Sequence, residues 1–484
     1  MSTEVQAVNE EQIEINRRVP TGKLLAYATG LVGQNFTYGF IAGWLFYYLE
    51  YIRQISPKIS GIITGISRVW DSINDPIIGG LIDKHKFKNG EKLRPILILT
   101  PPFIGVLAVL MFLPFNLNKS ALIIMICVCY LLWDFFYSFQ DVALWGMVAV
   151  SSPSSVERGR VAQWISIGAG AGSAIVSLFP SFRSAVEGMG VSSVYVFFIF
   201  AVIFGFGGEM LSMTAHKMPE VIETPKSEES LFEAIFVLRH NKTLMWISIA
   251  RFFRDVFNTV LPWVYFFESR EIYDLGITKI GYGNIQVIYG LMTGAVSAVA
   301  MLFATKMAGK LGGMKRLLLV AQASNIICRV ISFFVGFNSP SRIFITMGLM
   351  AIANIPVNSM DIAHRSITTD SIDYVEYKTG KRTEGISFSI QNLVTKLASA
   401  VVQIVNGFVL SALGHDSNRK NFDQNPLYMK WQWPIFMLGP VIGAVIYTFF
   451  ISFVKDDEEE KKMVEAALYE RHHAADEKAE MLNK

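Results

Sequence analysis

The chain alternates between long apolar stretches that carry almost no charge and short stretches that hold most of the charged residues. Of its 484 residues, 52% are hydrophobic and 17% are charged, whereas a soluble domain carries roughly 25% charged residues. A stretch of about 20 apolar residues crosses the hydrocarbon core of a bilayer as a helix. A helix also satisfies its own backbone hydrogen bonds where no water is present. The pattern therefore predicts an all-α integral membrane protein.

About twelve stretches are long enough to span a bilayer. We place them at residues 23–50, 58–83, 95–115, 120–150, 158–180, 192–214, 243–268, 281–308, 315–337, 341–368, 384–413 and 430–454. The longest polar break among them separates six spans from six. The predicted organisation is an N-terminal tail (1–22), a six-helix half (23–215), a linker (216–242), a second six-helix half (243–455) and a C-terminal tail (456–484).

Lysine and arginine near the ends of the spans predict the topology. The basic loops alternate with loops that carry little charge, and they lie at residues 83–95, 157–160, 305–316 and 376–382. Because cytoplasmic loops carry an excess of Lys and Arg, we expect both termini and the linker in the cytoplasm. The N-terminal residues are polar and acidic, unlike a cleaved signal peptide. The expected location is the cell membrane, crossed several times.

The two halves resemble each other in sequence. Span 4 contains QDVALWGMV (140–148) and span 10 contains MDIAHRSIT (360–368), so that Asp141 and Asp361 occupy matching places. Repeated halves are typical of secondary transporters. Twelve spans in two such pseudo-repeats predict the major facilitator fold.

Span 2 carries charge on one helix face. Arg68, Asp71 and Asp75 are spaced at i, i+3 and i+7, with Asn74 beside them. A charged side chain at the centre of a membrane helix costs ~2.5–3.5 kcal/mol on insertion scales. Two carboxylates and an amide suit Na⁺, and a carboxylate with a raised pKa would take H⁺. The alternative is a structural ion pair of Arg68 with one Asp.

Span 4 combines carboxylates with aromatic rings. Asp134, Tyr137, Asp141 and Trp145 share one face at i, i+3, i+7 and i+11. A carboxylate accepts hydrogen bonds from sugar hydroxyls, and a ring covers the apolar face of a sugar. We therefore predict a sugar site that includes Asp141. In the alternative interpretation, Tyr137 and Trp145 anchor the helix at the membrane interface.

Four further polar positions lie within predicted spans. In span 11, Lys396 is about 12 residues from the nearest loop, too far for simple snorkelling, and Asn392 precedes it by one turn. We expect Lys396 to face the cavity and to neutralise an Asp of the other half. In span 1, Gln34 and Asn35 either bind solute or join helices.

Other classes of function find little support. The net charge of +3 and the scattered seven His and three Cys give no nucleic-acid, zinc or disulfide pattern. No nucleophile with a base or phosphate loop indicates an enzyme, and no cofactor beyond the coupling cation is expected. We assign Asp361 and His364 a structural role and leave Arg251, Arg254 and Asp255 without a role.

Three segments together resemble the glycoside–pentoside–hexuronide:cation symporters, a family of the major facilitator superfamily. They are RVWDSINDPIIGGLID (68–83), WDFFYSFQDVALW (133–145) and DSIDYVEYKTGKRTEGISFSIQNLVTKLASA (370–400), and the resemblance runs over most of residues 22–455. The resemblance implies that the span 2 acids and Asn74 coordinate the cation, that Asp141 binds sugar hydroxyls, and that Lys396 links the two sites. It also places Arg68, Tyr137, Trp145 and Asn392 near the sugar.

Two positions depart from the family pattern. A galactoside carrier of this family has a Lys-Asp pair in span 1 where this chain has Gln34-Asn35, and an Arg of its span 5 is absent near Ser166. The cation-coupled mechanism is therefore expected to carry over better than the substrate. We expect Na⁺- or H⁺-coupled symport of a glycoside, pentoside or uronide, with a uniporter or exchanger as the alternative and a membrane solute sensor as a remote one.

Overall fold

The structure is a computed structural model that describes residues 18–88, 90–152, 154–221, 241–258, 263–301, 303–380, 384–455, 457, 459–464, 466–468 and 470. Most of the predicted linker and of the two predicted tails lies outside these residues. The chain forms two compact units, one through Ser227 and one from Glu228. The predicted domain limits at residues 23, 215, 243 and 455 stay predictions.

The first unit consists of helices, with one π-helical segment after α1 and one inside span 6. Its elements are α1 (Thr21–Tyr47), a π-helix (Tyr48–Ile52), α2 (Pro57–Lys84), α3 (Ile96–Met111), α4 (Lys119–Val150), α5 (Ser155–Val176), α6 (Phe179–Gly188), α7 (Ser193–Phe200), a π-helix (Ala201–Gly207), α8 (Gly208–Ser212) and a 3₁₀-helix (Met213–Lys217).

The second unit is also helical, apart from one short hairpin. Its elements are α9 (Lys242–Asn258), α10 (Trp263–Phe267), β1 (Ile272–Asp274), β2 (Lys279–Gly281), α11 (Tyr282–Met301), α12 (Ala304–Leu311), α13 (Met314–Val335), α14 (Pro340–Val357), α15 (Met360–Thr379), α16 (Glu384–Ala412) and α17 (Pro426–Ser452). The two strands pair antiparallel, with Tyr273 opposite Ile280. The sequence analysis did not predict this hairpin.

Every predicted span contains helix, and seven helical stretches in the described ranges are long and apolar enough to cross a membrane. Span 10, predicted as one helix over 341–368, is instead interrupted. α14 ends at Val357, one residue after Pro356, and α15 begins at Met360. Proline lacks the N–H that an interior helical position requires. The side-chain amide of Asn358 donates to the Asn354 carbonyl at 2.8 Å, beside the backbone bond that this carbonyl already accepts from Asn358.

Glycines let α1 and α5 approach closely in the first unit. A Cβ atom at Gly172 would lie 2.7 Å from the Val32 carbonyl and 2.9 Å from the Asn35 Cβ atom. One at Gly168 would meet the Ala28 carbonyl. The GAGAG run in span 5 is thus a helix-packing surface, as small residues in membrane helices commonly are. This close packing fixes where Gln34 and Asn35 stand on α1.

The core of the second unit lies among α9, α13, α15 and α17. Leu317, Ala321, Ile367 and Tyr447 are almost fully buried there. The predicted C-terminal tail begins at residue 456. Its described part is helical from Glu459, and Val464 and Leu468 are buried. Lys461 also pairs with Asp370 of α15 at 2.8 Å, so this part packs on the unit.

Candidate solute and cation site

Gln34 holds together the polar core of the first unit. Its side chain is 3% exposed, and its amide nitrogen donates to the Tyr137 hydroxyl and to Asp141 Oδ1, both at 2.8 Å. Both partners lie more than 100 residues away on α4. The structure therefore brings together three of the predicted sugar-site residues, and it orients the Asp141 carboxylate by a hydrogen bond from α1.

Asn35 extends this polar group toward α5. Its Nδ2 donates to the Leu31 carbonyl at 2.9 Å, and its Oδ1 accepts from the Ser173 hydroxyl at 3.4 Å. The side chain remains partly exposed. Asn35 thus joins two helices, and the exposed part of its amide remains accessible to a solute.

Three aromatic rings stack beside Asp141. Tyr137 lies 4.9 Å from Trp133 and 5.5 Å from Tyr38 between ring centroids, with interplanar angles of 19° and 22°. Trp145, predicted on the same face as Tyr137, is 54% exposed and makes no ring contact with it among the described residues. The aromatic wall is thus formed by Tyr38, Tyr137 and Trp133. The sequence interpretation had not included Tyr38 or Trp133.

Arg68 connects span 2 to this wall. The side chain is buried, donates from Nη1 to the Tyr38 hydroxyl at 3.3 Å, and lies 5.3 Å from the centroid of that ring. Asp71 and Asp134 are within electrostatic range of its guanidinium group. Arg68 therefore has both a cation–π contact and carboxylates near it, so a simple pair with one Asp does not describe its surroundings.

The predicted cation residues occupy the next turns of α2. Asp71 and Asn74 are buried, and Asp75 is partly exposed. Asn74 Nδ2 is buried without a hydrogen-bond partner in the described part of the chain, so its amide is free to turn its oxygen toward a cation. Throughout the described ranges, no three His, Cys, Asp or Glu side chains are grouped to hold a metal ion.

The span 11 residues lie on α16 in the second unit. Lys396 is partly buried, and Asn392 is exposed. The neighbouring Gln391 is 4% exposed and contacts α9: its Oε1 accepts from Arg251 Nη1 at 3.0 Å, and its Nε2 donates to the Ser248 hydroxyl at 3.3 Å. Sequence reasoning chose Asn392 and missed Gln391, whose burial depends on how α16 packs.

A buried acid in span 6 was also missed. Glu209 on α8 is fully buried, and its Oε2 accepts from Gln140 Nε2 at 2.7 Å and from the Ser212 hydroxyl at 3.1 Å. Gln140 directly precedes Asp141 on α4. A carboxyl group inside an apolar span is a signal in its own right, and Glu209 could have been noted on that ground.

Sequence comparison assigns the family. A family model described as "MFS/sugar transport protein" matches residues 26–457. The chain belongs to this family. The match covers nearly all of the described helices, and it confirms the predicted all-α, major facilitator fold and the resemblance to its sugar:cation symporters.

Curated relatives agree with this assignment at low identity. The uncharacterized symporter YjmB of Bacillus subtilis (strain 168) is 25% identical over 91% of this chain and 94% of its own length. The lactose permease of Leuconostoc lactis is 23% identical over 84% of this chain, which spans 66% of that permease. The putative glycoside/cation symporter YagG of Escherichia coli (strain K12) is 22% identical, with 81% and 83% covered.

Solved structures support the fold. The nucleoside transporter NupG, as its D323A mutant, superposes with a TM-score of 0.62 over 88% of this chain and 99% of its own, at 12% identity. At that identity the similarity concerns the arrangement of helices alone. This protein is accordingly a multi-pass membrane transporter of the major facilitator type.

Proposed function

We propose that this protein is a secondary active transporter that moves a glycoside or related sugar together with Na⁺ or H⁺ by alternating access. The sugar class includes oligosaccharides, pentosides and uronides. The proposed location is the cell membrane, with both termini in the cytoplasm. The observation that supports this function best is the bonded group formed by Gln34, Tyr137 and Asp141.

The proposed sugar contacts follow from the chemistry of this group. Asp141 offers carboxylate oxygens to sugar hydroxyls, and hydrogen bonds to a charged group are worth about 1.5–3 kcal/mol each. The stacked rings of Tyr38 and Tyr137 offer a flat surface for the apolar face of a sugar. We propose that Asn35 and Arg68 donate to ring or hydroxyl oxygens of the sugar. The family and the names of the lactose permease and of the putative glycoside/cation symporter YagG agree with a sugar as solute.

The proposed cation ligands are Asp71, Asp75 and the amide oxygen of Asn74. Hard cations take oxygen ligands, and two carboxylates on one helix face repel each other until a cation or proton neutralises one of them. Lys396 is proposed as the coupling group, together with Asp141. A positive charge within a membrane span requires a negative partner. The electrostatic stabilisation of Lys396 would therefore change when a cation neutralises the carboxylates of the cation site.

The decisive experiment is a measurement of linkage. Binding of one ligand must strengthen the other by the same factor at equilibrium. We expect the affinity of the purified protein for a bound glycoside to rise by about 5- to 150-fold when the coupling cation is present. Calorimetric titration with a panel of glycosides, pentosides and uronides, with and without Na⁺ and across pH, measures this factor.

Indifference of sugar affinity to Na⁺ and to pH would remove cation coupling from the proposal. The protein would then be a uniporter or exchanger, and counterflow without any cation gradient would persist at full rate. A solute panel in which no sugar binds under any condition would reject the sugar site itself.

A further inference from the structure

A cluster of charged side chains in the second unit has no role in the proposed function. We call it the Arg251 cluster; its members are Arg251, Arg254 and Asp255 on α9, Asp361 and His364 on α15, and Gln391 on α16. Charged groups are rare inside membrane spans, and they mark ligand paths there more often than elsewhere. The sequence interpretation treated Asp361 and His364 as structural.

The two arginines of the cluster differ in how well they are paired. Arg254 binds Asp255 through two nitrogens, with Nε at 2.8 Å and Nη2 at 2.7 Å from Oδ1. Arg251 donates from Nη1 to Gln391. Its Nη2 lies 3.7 Å from Asp361 Oδ1, beyond hydrogen-bond distance. Its Nε is buried and has no acceptor among the described residues.

The Nε and Nη2 atoms of Arg251, neither of which makes a hydrogen bond among the described residues, form one edge of the guanidinium group. Nε and Nη2 point in the same direction, and a carboxylate binds this edge through two parallel hydrogen bonds. Gln391 holds the opposite end at Nη1, so the plane of the group is fixed. A single amide or hydroxyl cannot fill both positions, whereas a carboxylate fills both and matches the charge.

Asp361 lies beside the Nε–Nη2 edge of Arg251, and a solute could reach this edge by displacing the Asp361 carboxylate. Its carboxylate is 60% exposed, whereas the Arg251 side chain is 17% exposed. Asp361 lies in the first turn of α15, immediately after the break in span 10. The N-terminus of a helix favours a negative charge. A second carboxylate could therefore take this place if Asp361 turns toward His364, whose Nδ1 is 3.8 Å away.

The repeat relates part of the cluster to the sugar group proposed in the first unit, although Arg251 itself matches the apolar Leu31. Asp141 and Asp361 are 220 residues apart, and the same offset relates Gln34 to Arg254 and Asn35 to Asp255. In the first unit these positions form the bonded group that we propose for the sugar. The second unit thus has charges at positions where the first unit has neutral amides.

We propose that Arg251 binds a carboxylate of the solute through its Nε and Nη2 atoms, so that the protein selects uronides over neutral sugars of the same ring. The inference rests on the proposed function and names the substrate class more narrowly. Asp361 acts as the internal carboxylate that the solute replaces.

The test compares two sugars that differ only at C6, methyl β-D-glucuronide and methyl β-D-glucoside. Calorimetric titration of the purified full chain gives the ratio of their affinities. We expect the wild-type protein to favour the uronide by at least about 10-fold. Arg251→Gln should lower this ratio by roughly 30-fold or more, the usual effect of removing one partner of a buried charge pair. Arg251→Lys should restore part of it, because Lys offers the charge without the paired nitrogens.

Arg329→Gln is the matched control. Arg329 on α13 is also a partly buried arginine of the second unit, with bonds to Asn325 and to the Phe436 carbonyl, and its loss should leave the ratio unchanged.

A wild-type ratio near one overturns the inference, and so does an equal loss of affinity for both sugars in Arg251→Gln. Binding of the glucoside with cation dependence, but not of the uronide, rejects the inference and leaves the proposed function intact. Preference for the uronide without any cation dependence supports the inference and rejects the coupling.

Discussion

In the first unit, α1 and α5 meet through glycines, with backbone close to backbone at Gly168 and Gly172. In the second unit, α9 and α16 are joined by side chains, through the contacts that Gln391 makes with Ser248 and Arg251. These helices are spans 1 and 5 in one half and spans 7 and 11 in the other. The same pair of helices in the repeat therefore meets backbone to backbone in the first unit, where Asn35 and Ser173 add one hydrogen bond, and through apolar and polar side chains in the second.

This difference affects how easily each pair of helices can change its packing. Close-packed backbones tolerate little displacement, because interiors are packed as densely as organic crystals. Polar side chains can exchange partners if each new state satisfies their hydrogen bonds. The first unit accordingly offers a fixed surface for Gln34 and Asn35, whereas the second offers charges whose partners can be replaced.

The largest expected effect concerns the acids of α2, for which the second unit has no counterpart at the matching positions. Asp75→Asn removes one of the two proposed carboxylate ligands, and we expect accumulation of sugar against a gradient to be abolished. Uptake into proteoliposomes under an imposed cation gradient measures this. Asp416→Asn, in an exposed turn of the second unit, is the control. Normal accumulation by Asp75→Asn would exclude the α2 acids from coupling.

The next effect separates the two matching aspartates. Asp141→Asn removes a charged acceptor from the proposed sugar site, and we expect affinity for every bound sugar to fall by roughly 10- to 100-fold, in line with hydrogen bonds to charged groups. Asp361→Asn should mainly alter the preference between acidic and neutral sugars. Binding titrations of both variants with the same sugar pair decide the point. If both variants lost affinity equally for the acidic and the neutral sugar, the two aspartates would have the same role in binding.

The smallest effect tests the glycine packing. Gly172→Ala places a Cβ atom 2.7 Å from the Val32 carbonyl, and overpacking of this kind costs about 1–3 kcal/mol. Gly170→Ala on the same helix is the control, because a Cβ atom there has nothing within 4 Å. Thermal unfolding of the two purified variants gives the difference. Equal stability would show that α1 and α5 are not in close contact.

The positions of the helices and of the main acidic residues could both be predicted from the sequence, because both depend on the cost of placing polar groups in lipid. Apolar length determines where a span lies, and a carboxylate such as Asp71 or Asp141 stands out because it is costly in lipid. Partners could not be predicted in the same way. Gln34 reaches Tyr137 across 103 positions, and Arg251 reaches Gln391 across 140. Such contacts depend on which helices pack together and at what rotation.

The break in span 10 was missed for a different reason. Pro356 was visible in the sequence, but a proline near the end of a segment can kink a helix, end it or be tolerated, depending on which neighbours replace the lost hydrogen bond. Here the helix ends, and the Asn358 side-chain amide donates to the Asn354 carbonyl at that end. The outcome depends on side-chain geometry that the apolar pattern does not contain.

That break also gives the two halves different stiffness. α4 runs without interruption from Lys119 to Val150, a rod of about 48 Å at 1.5 Å per residue. A tilt at one end of such a rod is transmitted to the other. Span 10 consists of two shorter rods, α14 and α15, joined at residues 358–359. Pro356 removes a backbone hydrogen bond next to this junction, so span 10 resists bending there less than α4 does.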